Sequence, residues 1–162
     1  MFVFRKAVLD DLQAISDIYN EAIINTTATF DTKTKTREEQ KDWFNSHKPK
    51  YPLIVAEMES SIVGWAALSE WSDRCAYTDT AEISVYIKNE YRGKGIGNRL
   101  INEILQAGRG VGLHTVIARI EKSNAVMIHL CKKNGFKHIG VMKEVGRKFG
   151  KLLDVVMMQI IL

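Results

Sequence analysis

The sequence predicts a single α/β domain, 1–162, in which a central mixed β-sheet is flanked by about four helices. Its 162 residues correspond to one domain, for which roughly 150 residues is typical. Segments with the two-residue period of strands alternate with segments that have the helical period. Their order is strand, two helices, three strands, helix, strand, helix and two strands. Neither a repeat nor a linker interrupts it.

The first half of the chain carries clear start and stop signals. Thr36 followed by Glu39 forms a capping box for the second helix, which must end before Pro49. The predicted elements are a strand at 3–6, a helix capped by Asp10 or Asp11, the helix that Thr36 opens, and strands at 53–57 and 62–68 joined by a tight turn at 59–61.

The second half begins with the segment that most resembles a strand, Ala81–Lys88. Its odd-numbered residues are apolar, and its even-numbered ones include Glu82 and Ser84. The remaining predicted elements are a helix after the glycine-rich segment 91–97 that ends at Gly108–Gly112, a strand at 115–120, a helix capped by Ser123 or Asn124, and strands at 137–144 and 152–162 flanking a turn at 146–150.

Composition excludes several classes of protein. The chain is 46% hydrophobic and 26% charged, which is ordinary for a folded domain. No stretch approaches 18 apolar residues, and the N-terminus lacks the pattern of a signal peptide. Two distant cysteines, Cys75 and Cys131, indicate a reducing cytoplasm. The net charge of +4 is spread along the chain, which fits a small anionic ligand at least as well as a nucleic acid.

The strongest signal is the segment Arg92–Gly97, which reads Arg-Gly-Lys-Gly-Ile-Gly between a strand and a helix. Glycines at such a junction let backbone N–H groups approach phosphate oxygens, and the helix N-terminus adds partial positive charge. The alternative is a helix start with permissive glycines. The segment lacks the Gly-Lys-Ser/Thr of a P-loop, and Asn98 replaces the third glycine of a dinucleotide fingerprint.

The spacing R-x-x-G-x-G resembles the pyrophosphate loop of the GNAT acyl-CoA N-acyltransferases. Asn124 and the Asn-Gly-Phe of Asn134–Phe136 follow in the expected order. The chain is further similar to the phosphinothricin and methionine sulfoximine acetyltransferase group in the segments 18–20, 25–28, 71–77, 80–82 and 146–154.

This resemblance implies a GNAT domain and a homodimer. It also implies transfer of acetyl from acetyl-CoA, by direct attack in a ternary complex. The acceptor would be the α-amino group of a small amino-acid-like substrate of the phosphinothricin or methionine sulfoximine/sulfone type. We expect the sheet to splay between the fourth and fifth strands to admit the cofactor.

The residues that the resemblance assigns to acetyl-CoA are Val85, Tyr86, Ile87, Arg92, Gly93, Lys94, Gly95, Ile96, Gly97, Asn98 and Asn124. Asn124 could equally be only a helix N-cap.

Glu82 is the candidate catalytic base. It lies on the polar face of an otherwise apolar strand, and it matches the glutamate of the family's Thr-Ala-Glu. Only a deprotonated amine has the lone pair that attacks a thioester, so a nearby carboxylate, acting directly or through a water, assists the reaction. The alternative is a solvated strand carboxylate that pairs with Arg74.

Cys131 is the candidate acid for the departing thiolate. The superfamily often places a tyrosine seven residues after the asparagine, and the subfamily often a histidine, whereas this chain has Cys131. An unperturbed thiol could donate a proton, or the side chain could be inert packing. His129 lies on a different helical face and cannot substitute. A covalent acetyl-cysteine is conceivable but has no identifiable activating base.

For the acceptor, the resemblance points to Phe30, Arg74, Tyr77 and Lys148. A guanidinium binds a carboxylate bidentately, so Arg74 suits an amino acid. A surface ion pair for Arg74 and core packing for Phe30 are the alternatives. The four histidines lack the spacing of metal ligands, and no metal is expected.

Three rival functions stay open. The first is a non-catalytic acyl-CoA sensor or interaction module on the same scaffold, and the second is a protein N-terminal acetyltransferase. The third, a basic nucleic-acid-binding protein, finds no platform of aromatic and basic residues in the sequence. We expect neither a nucleic acid nor a membrane as partner.

Overall fold

Seven strands form one mixed sheet, as the sequence predicts. In the computed structural model, which describes residues 1–47 and 49–162, the elements are β1 (Val3–Lys6), α1 (Leu12–Asn25), α2 (Arg37–Ser46), β2 (Leu53–Met58), β3 (Ser61–Glu70), β4 (Thr80–Ile87), α3 (Ile96–Gly110), β5 (Thr115–Glu121), α4 (Ala125–Lys133), β6 (Lys137–Lys148) and β7 (Lys151–Ile161). The spatial order of strands is β1-β2-β3-β4-β5-β7-β6. Neighbours are antiparallel except β4 and β5, which are parallel.

The sheet opens between β4 and β5. These strands pair only over their first residues, Thr80–Glu82 against Thr115–Ile117. Beyond Glu82, β4 stays paired with β3 as far as Ile87, while β5 is paired with β7 along its whole length. The two halves of the sheet therefore diverge and leave a wedge-shaped gap, which confirms the expected splay.

Helices cover both faces of the sheet. On one face, α3 buries Leu100, Ile101 and Ile104 completely against the sheet, and each such side chain contributes about 1.5–3 kcal/mol of hydrophobic stabilisation. On the other face, α1 packs Ile15 and Ile18 beside Trp65 of β3. The two core clusters thus pack against opposite faces of the sheet.

The last hairpin differs from the sequence prediction. Its turn consists of Phe149 and Gly150, both with positive φ, and β6 runs on through residues 145–148. A register shift between Met142 and Gly146 and a positive φ at Glu144 bend β6 there. The glycine that predicted a turn at 146 lies inside a strand, because a bulge and not a reversal occupies this segment.

The helix starts are partly as predicted. Thr36 and Glu39 form the reciprocal capping box of α2. Asp11 stands at the N-cap of α1, but its carboxylate does not cap that helix. It accepts from the Val8 backbone N–H and forms an ion pair with Arg5. The nearby guanidinium lowers the pKa of the Asp11 carboxyl group.

Candidate active site

A cavity of about 1080 Å³ occupies the gap between β4 and β5. It is bounded by the loop after α1, by β4 and β5, by the glycine-rich loop with the start of α3, by the start of α4, and by the β6–β7 hairpin. Residues that are distant in sequence therefore share one open space. Its two ends differ in the charged groups that line them.

The glycine-rich loop lies at one end of the cavity and has the features of an anion site. Gly93 and Gly95 adopt φ of 74° and 81°, a left-handed conformation that side chains disfavour. Gly95 is the N-cap of α3, and the first helical hydrogen bond runs from Arg99 N–H to the Gly95 carbonyl. The backbone N–H groups before Arg99 have no helical acceptor and carry the positive end of the helix dipole. Ile96, Gly97 and Asn98 line the cavity here.

The two basic residues of this loop are placed differently. Arg92 lines the cavity, and its Nε donates to the Ile87 carbonyl at 3.2 Å. Lys94 does not line it; its Nζ lies 4.8 Å from the centre of the Tyr91 ring.

A Cβ on Gly97 would stand 3.1 Å from Leu130 Cδ1 and 3.2 Å from Ile87 Cδ1, so this glycine allows α3 to approach α4 and β4 closely.

The open edge of β4 and Asn124 continue the cavity wall. Val85, Tyr86 and Ile87 all line it, in the part of β4 that β5 does not pair. Asn124 lines it as well, and its Oδ1 accepts from the Met127 backbone N–H at 3.1 Å. Asn124 is therefore the N-cap of α4, as one interpretation of the sequence holds. The same residue borders the cavity, as the other interpretation requires.

Glu82 lies at the far end of β4 from the glycine-rich loop and is held by Arg119. The guanidinium donates from Nη2 to Glu82 Oε1 at 2.8 Å and from Nε to Oε2. Arg74, the partner considered from sequence, is not the one that Glu82 has. The carboxylate raises the pKa of Arg119, whose guanidinium lies 5.4 Å from the centre of the Trp71 ring. Glu82 and Arg119 both line the cavity.

A second carboxylate, Glu121, lies two residues beyond Arg119 on the same face of β5. It is only 8% exposed and lines the cavity. Its Oε2 accepts from Thr27 Oγ1 and from the Ser123 backbone N–H, each at 3.2 Å, and from the Ser123 hydroxyl. Glu121 thereby connects the loop after α1 to the end of β5.

Hydroxyl groups fix the loop after α1 over the sheet. Tyr19 O–H donates to Asp31 and lies 3.0 Å from Thr29 Oγ1. Tyr86 O–H donates to the Ala28 carbonyl at 3.3 Å. Burial raises the pKa of both phenols, because it disfavours the charged phenolate. These two tyrosines form part of the cavity wall as neutral donors.

The candidate acceptor residues are only partly brought together. Phe30 lines the cavity, and its ring packs directly on Gly146. A Cβ added to Gly146 would lie only 2.2 Å from Phe30 Cε2, so a larger residue at 146 would clash with the ring. Lys148 is 4% exposed and donates to the Thr29 carbonyl at 2.8 Å, behind the cavity wall. Arg74 and Tyr77 are exposed and do not line the cavity. Within one chain, Phe30 and Glu82 therefore line the same cavity, whereas Arg74 and Tyr77 lie outside it.

Cys131 lies in the core and not in the cavity wall. It is 0% exposed and belongs to the cluster beneath α3 and α4. Burial raises the pKa of its thiol to about 12. The structure thus gives Cys131 the surroundings of a packing residue, one of the two alternatives that the sequence leaves open.

Within residues 1–47 and 49–162, no three side chains of His, Cys, Asp or Glu are close enough together to hold a metal ion. None of the helices described is both long enough and apolar enough to cross a membrane.

Sequence reasoning assigned no role to several residues of the cavity wall, among them Arg119, Glu121 and Thr27. The alternation along β5 was an available signal, because Arg119 and Glu121 are the polar members of a strand whose other face is buried. Thr27 lies in the segment 25–28 that resembles the family, but nothing in the sequence marked its contact with Glu121, which is 94 residues away.

Comparison with known proteins agrees with this geometry. Residues 4–157 match the family model described as acetyltransferase (GNAT) domain. The chain is 36% identical over 158 residues to an L-methionine sulfoximine/L-methionine sulfone acetyltransferase of Pseudomonas paraeruginosa, covering 96% of this chain and 92% of that protein.

Solved structures share the fold over nearly the whole chain. A GNAT superfamily phosphinothricin acetyltransferase from Sinorhizobium meliloti, in complex with acetyl-CoA, has a TM-score of 0.95 and 34% identity, covering 99% of this chain and 88% of that one. A ribosomal-protein-alanine N-acetyltransferase from Brucella melitensis has a TM-score of 0.95 and 37% identity, covering 99% of both chains. The chain therefore belongs to the GNAT acetyltransferase family and is an acetyl-CoA-dependent N-acetyltransferase.

Proposed function

We propose that the protein transfers the acetyl group of acetyl-CoA to the α-amino group of a small amino-acid-like substrate, within a ternary complex. The observation that carries the proposal is the gap between β4 and β5, with an anion site at one end and the Glu82 carboxylate at the other. Ile87 lies five positions after Glu82 on the extended strand β4, or about 16 Å away at roughly 3.3 Å per residue. An extended cofactor can span this distance.

The residues present fit acetyl-CoA. The N–H groups at the start of α3, together with Arg92, would bind the pyrophosphate. Backbone groups of Val85, Tyr86 and Ile87 on the edge of β4 that β5 leaves open, and the amide of Asn124, would hydrogen-bond the pantetheine arm. Lys94, beside Tyr91, would add long-range attraction for the phosphates.

Glu82 would act as the base. A carboxylate has about four acceptor positions, and Arg119 occupies two of them, so Glu82 can still accept from an ammonium or a water. Removal of one ammonium proton lets the nitrogen attack the thioester carbon. The N–C bond forms, the C–S bond breaks, the nitrogen releases its second proton to water, and the thiolate takes a proton. Acetyl-CoA supplies the activated acyl group.

We assign no proton transfer to Cys131. A thiol whose pKa is raised to about 12 by burial, away from the cavity wall, has neither the contact nor the acidity for that step. Water that reaches the open cavity is a sufficient proton source for the thiolate.

The acceptor class rests on the relatives. One with 36% identity is named for methionine sulfoximine and methionine sulfone, and a structural neighbour for phosphinothricin. All three compounds are α-amino acids. In this proposal Phe30 contacts the acceptor side chain, and Lys148 holds the loop of Thr29 and Phe30 in place. Arg74 and Tyr77 would complete the site from a second copy of the chain.

Exposed apolar residues on the last hairpin support a homodimer, which that arrangement requires. The β6–β7 hairpin exposes apolar side chains along its length, namely Ile139, Val141, Val145, Phe149 and Leu152. β6 is also the edge strand of the sheet, so a second copy would cover apolar surface beside the cavity. Cys75 and Cys131 are both free thiols, which fits a reducing cytoplasm.

A second candidate function is acetylation of a protein N-terminus. A ribosomal-protein-alanine N-acetyltransferase of the same fold is 37% identical, and its acceptor also presents an α-amino group. The two candidates differ in the acceptor's carboxylate, which is free in an amino acid and part of a peptide bond in a protein.

Thiol release from acetyl-CoA, measured with a panel of amines, tests the proposal. The panel is methionine sulfoximine, methionine sulfone, phosphinothricin and short peptides beginning with alanine. We expect turnover with the free amino acids. Turnover with the peptides alone would favour the second candidate. Acetyl-CoA binding without turnover on any amine would refute acetyl transfer to these acceptors and favour a sensor.

A further inference from the structure

Arg119 is placed to do more than hold Glu82. Its guanidinium carries five N–H donors, and Glu82 accepts from two of them, on Nε and Nη2. Three N–H groups remain, and the side chain is 52% exposed. The guanidinium carbon lies over the ring of Trp71, 5.4 Å from its centre. Because the ring faces the guanidinium and does not lie in its plane, the remaining N–H donors stay free to bind a ligand.

No other cation in the described part of the chain serves this end of the cavity. Among the residues described, Arg92 and Arg119 are the basic ones that line the cavity. Arg92 lies beyond Ile87 and bonds to its carbonyl, about 16 Å of strand away from Glu82. Lys148 directs its ammonium at Thr29. Asp31, Glu82 and Glu121 line the same cavity, so Arg119 is the cation that can attract an acceptor carboxylate at the Glu82 end.

The pairing of Arg119 with Glu82 matches the charges of an α-amino acid. In such a molecule the ammonium nitrogen and the carboxylate carbon are both bonded to Cα and lie about 2.5 Å apart. A ligand of this kind needs a carboxylate and a cation that are themselves adjacent. Glu82 and Arg119 are in direct contact and present these two groups to one cavity.

We infer that Arg119 binds the α-carboxylate of the acceptor while Glu82 receives its ammonium group, so that the Glu82–Arg119 pair selects free α-amino acids over amines without a carboxylate. This inference rests on the proposed function and specifies its acceptor site. It also gives the carboxylate a binding residue within the single chain, where Arg74 does not reach the cavity. Arg119 is then a specificity-determining residue.

The test is calorimetric binding to the full-length protein saturated with CoA, at pH 6.5, at which α-amino groups carry their proton. The two probes are methionine sulfone and its α-carboxamide, which differ only in the negative charge. We expect wild-type protein to bind the acid at least about tenfold more tightly, the value for one charge-assisted hydrogen bond. In Arg119→Gln this ratio should fall to near one while the affinity for the amide stays within about twofold. Arg119→Lys should keep part of the preference.

Matched variants sharpen the result. Arg109→Gln removes an exposed arginine at the far end of α3 and should keep the full preference. The inference is overturned if wild-type protein binds both probes alike or neither. It is also overturned if Arg119→Gln weakens both probes equally, or if Arg74→Gln and not Arg119→Gln abolishes the preference. Turnover on the amine panel is scored separately, so a wild-type protein that prefers the acid but acetylates nothing refutes only the proposed function.

Discussion

The ammonium of Lys148 donates a 2.8 Å hydrogen bond to the carbonyl of Thr29, although 119 residues separate them in sequence. The contact joins the end of β6 to the loop that covers the cavity. Because Lys148 is 4% exposed, burial lowers the pKa of its ammonium. The shape of the candidate acceptor site therefore depends on a buried cation that does not itself line it.

Replacing Lys148 by Met should loosen this loop. The Thr29 carbonyl loses its donor, so we expect the free energy of unfolding to fall by about 1–3 kcal/mol, together with faster amide hydrogen exchange in residues 26–31 and a higher KM for the amine. Denaturant unfolding and hydrogen exchange measure these changes. Lys151→Met, at an exposed site across the turn, is the control. Unchanged exchange in 26–31 would mean that the bond does not hold the loop.

Replacing Glu82 by Gln should separate catalysis from cofactor binding. Glutamine cannot take the ammonium proton, so we expect kcat to fall by about 10²–10⁴-fold, with the Kd for acetyl-CoA nearly unchanged. Steady-state kinetics and calorimetry provide the two numbers. Glu103→Gln, on the exposed side of α3, should behave as wild type. Near wild-type turnover in Glu82→Gln would remove Glu82 from the mechanism.

Replacing Gly95 by Ala should weaken the anion site. An alanine at φ 81° costs about 1–2 kcal/mol in the left-handed conformation, and relief of that strain displaces the N–H groups at the start of α3. We expect the Kd for CoA to rise about tenfold. Gly110→Ala, in the same helix and with no neighbour near its Cβ position, should leave the Kd unchanged. Equal affinity in both variants would argue against phosphate binding by this loop.

Replacing Cys131 by Ala should affect stability and not chemistry. The thiol is buried and its pKa is raised to about 12, so we expect kcat to stay within about twofold between pH 7 and 9. The small cavity left in the core should cost about 1 kcal/mol of unfolding free energy. A pH–rate profile and a denaturation curve distinguish the two effects. A large fall in kcat in the folded variant would restore Cys131 as the acid.

His47 should make stability depend on pH. Burial lowers its pKa from 6.5, so below pH 6.5 the unfolded chain binds a proton that the folded chain does not. Stability therefore rises with pH in this window, and it is lost as pH falls from 6.5 toward the folded pKa. In His47→Gln the slope should decrease, whereas His138→Gln, at an exposed site, should retain it. Identical slopes in His47→Gln and wild type would contradict the prediction.

Local chemistry by itself determined the element order and the position of the glycine-rich loop. The period of two in β4, the capping box at Thr36 and the glycines of 93–97 act over a few residues, so they can be read along the chain. They placed Glu82 on the polar face of its strand and the glycine-rich loop at the end of that strand. The bulge in β6 could not be read in this way, because residues that pair across strands determine it.

The tertiary structure alone decided the partners of these groups. Arg119 reaches Glu82 because β4 and β5 are parallel and in register only at their first residues. Lys148 is buried because the hairpin folds over the loop of Thr29, and Cys131 faces the core because α4 packs beneath α3. Strand register and helix packing depend on the free energy of the whole core. The sequence therefore singled out Glu82 as the candidate base, and the fold determined which cation lies beside it.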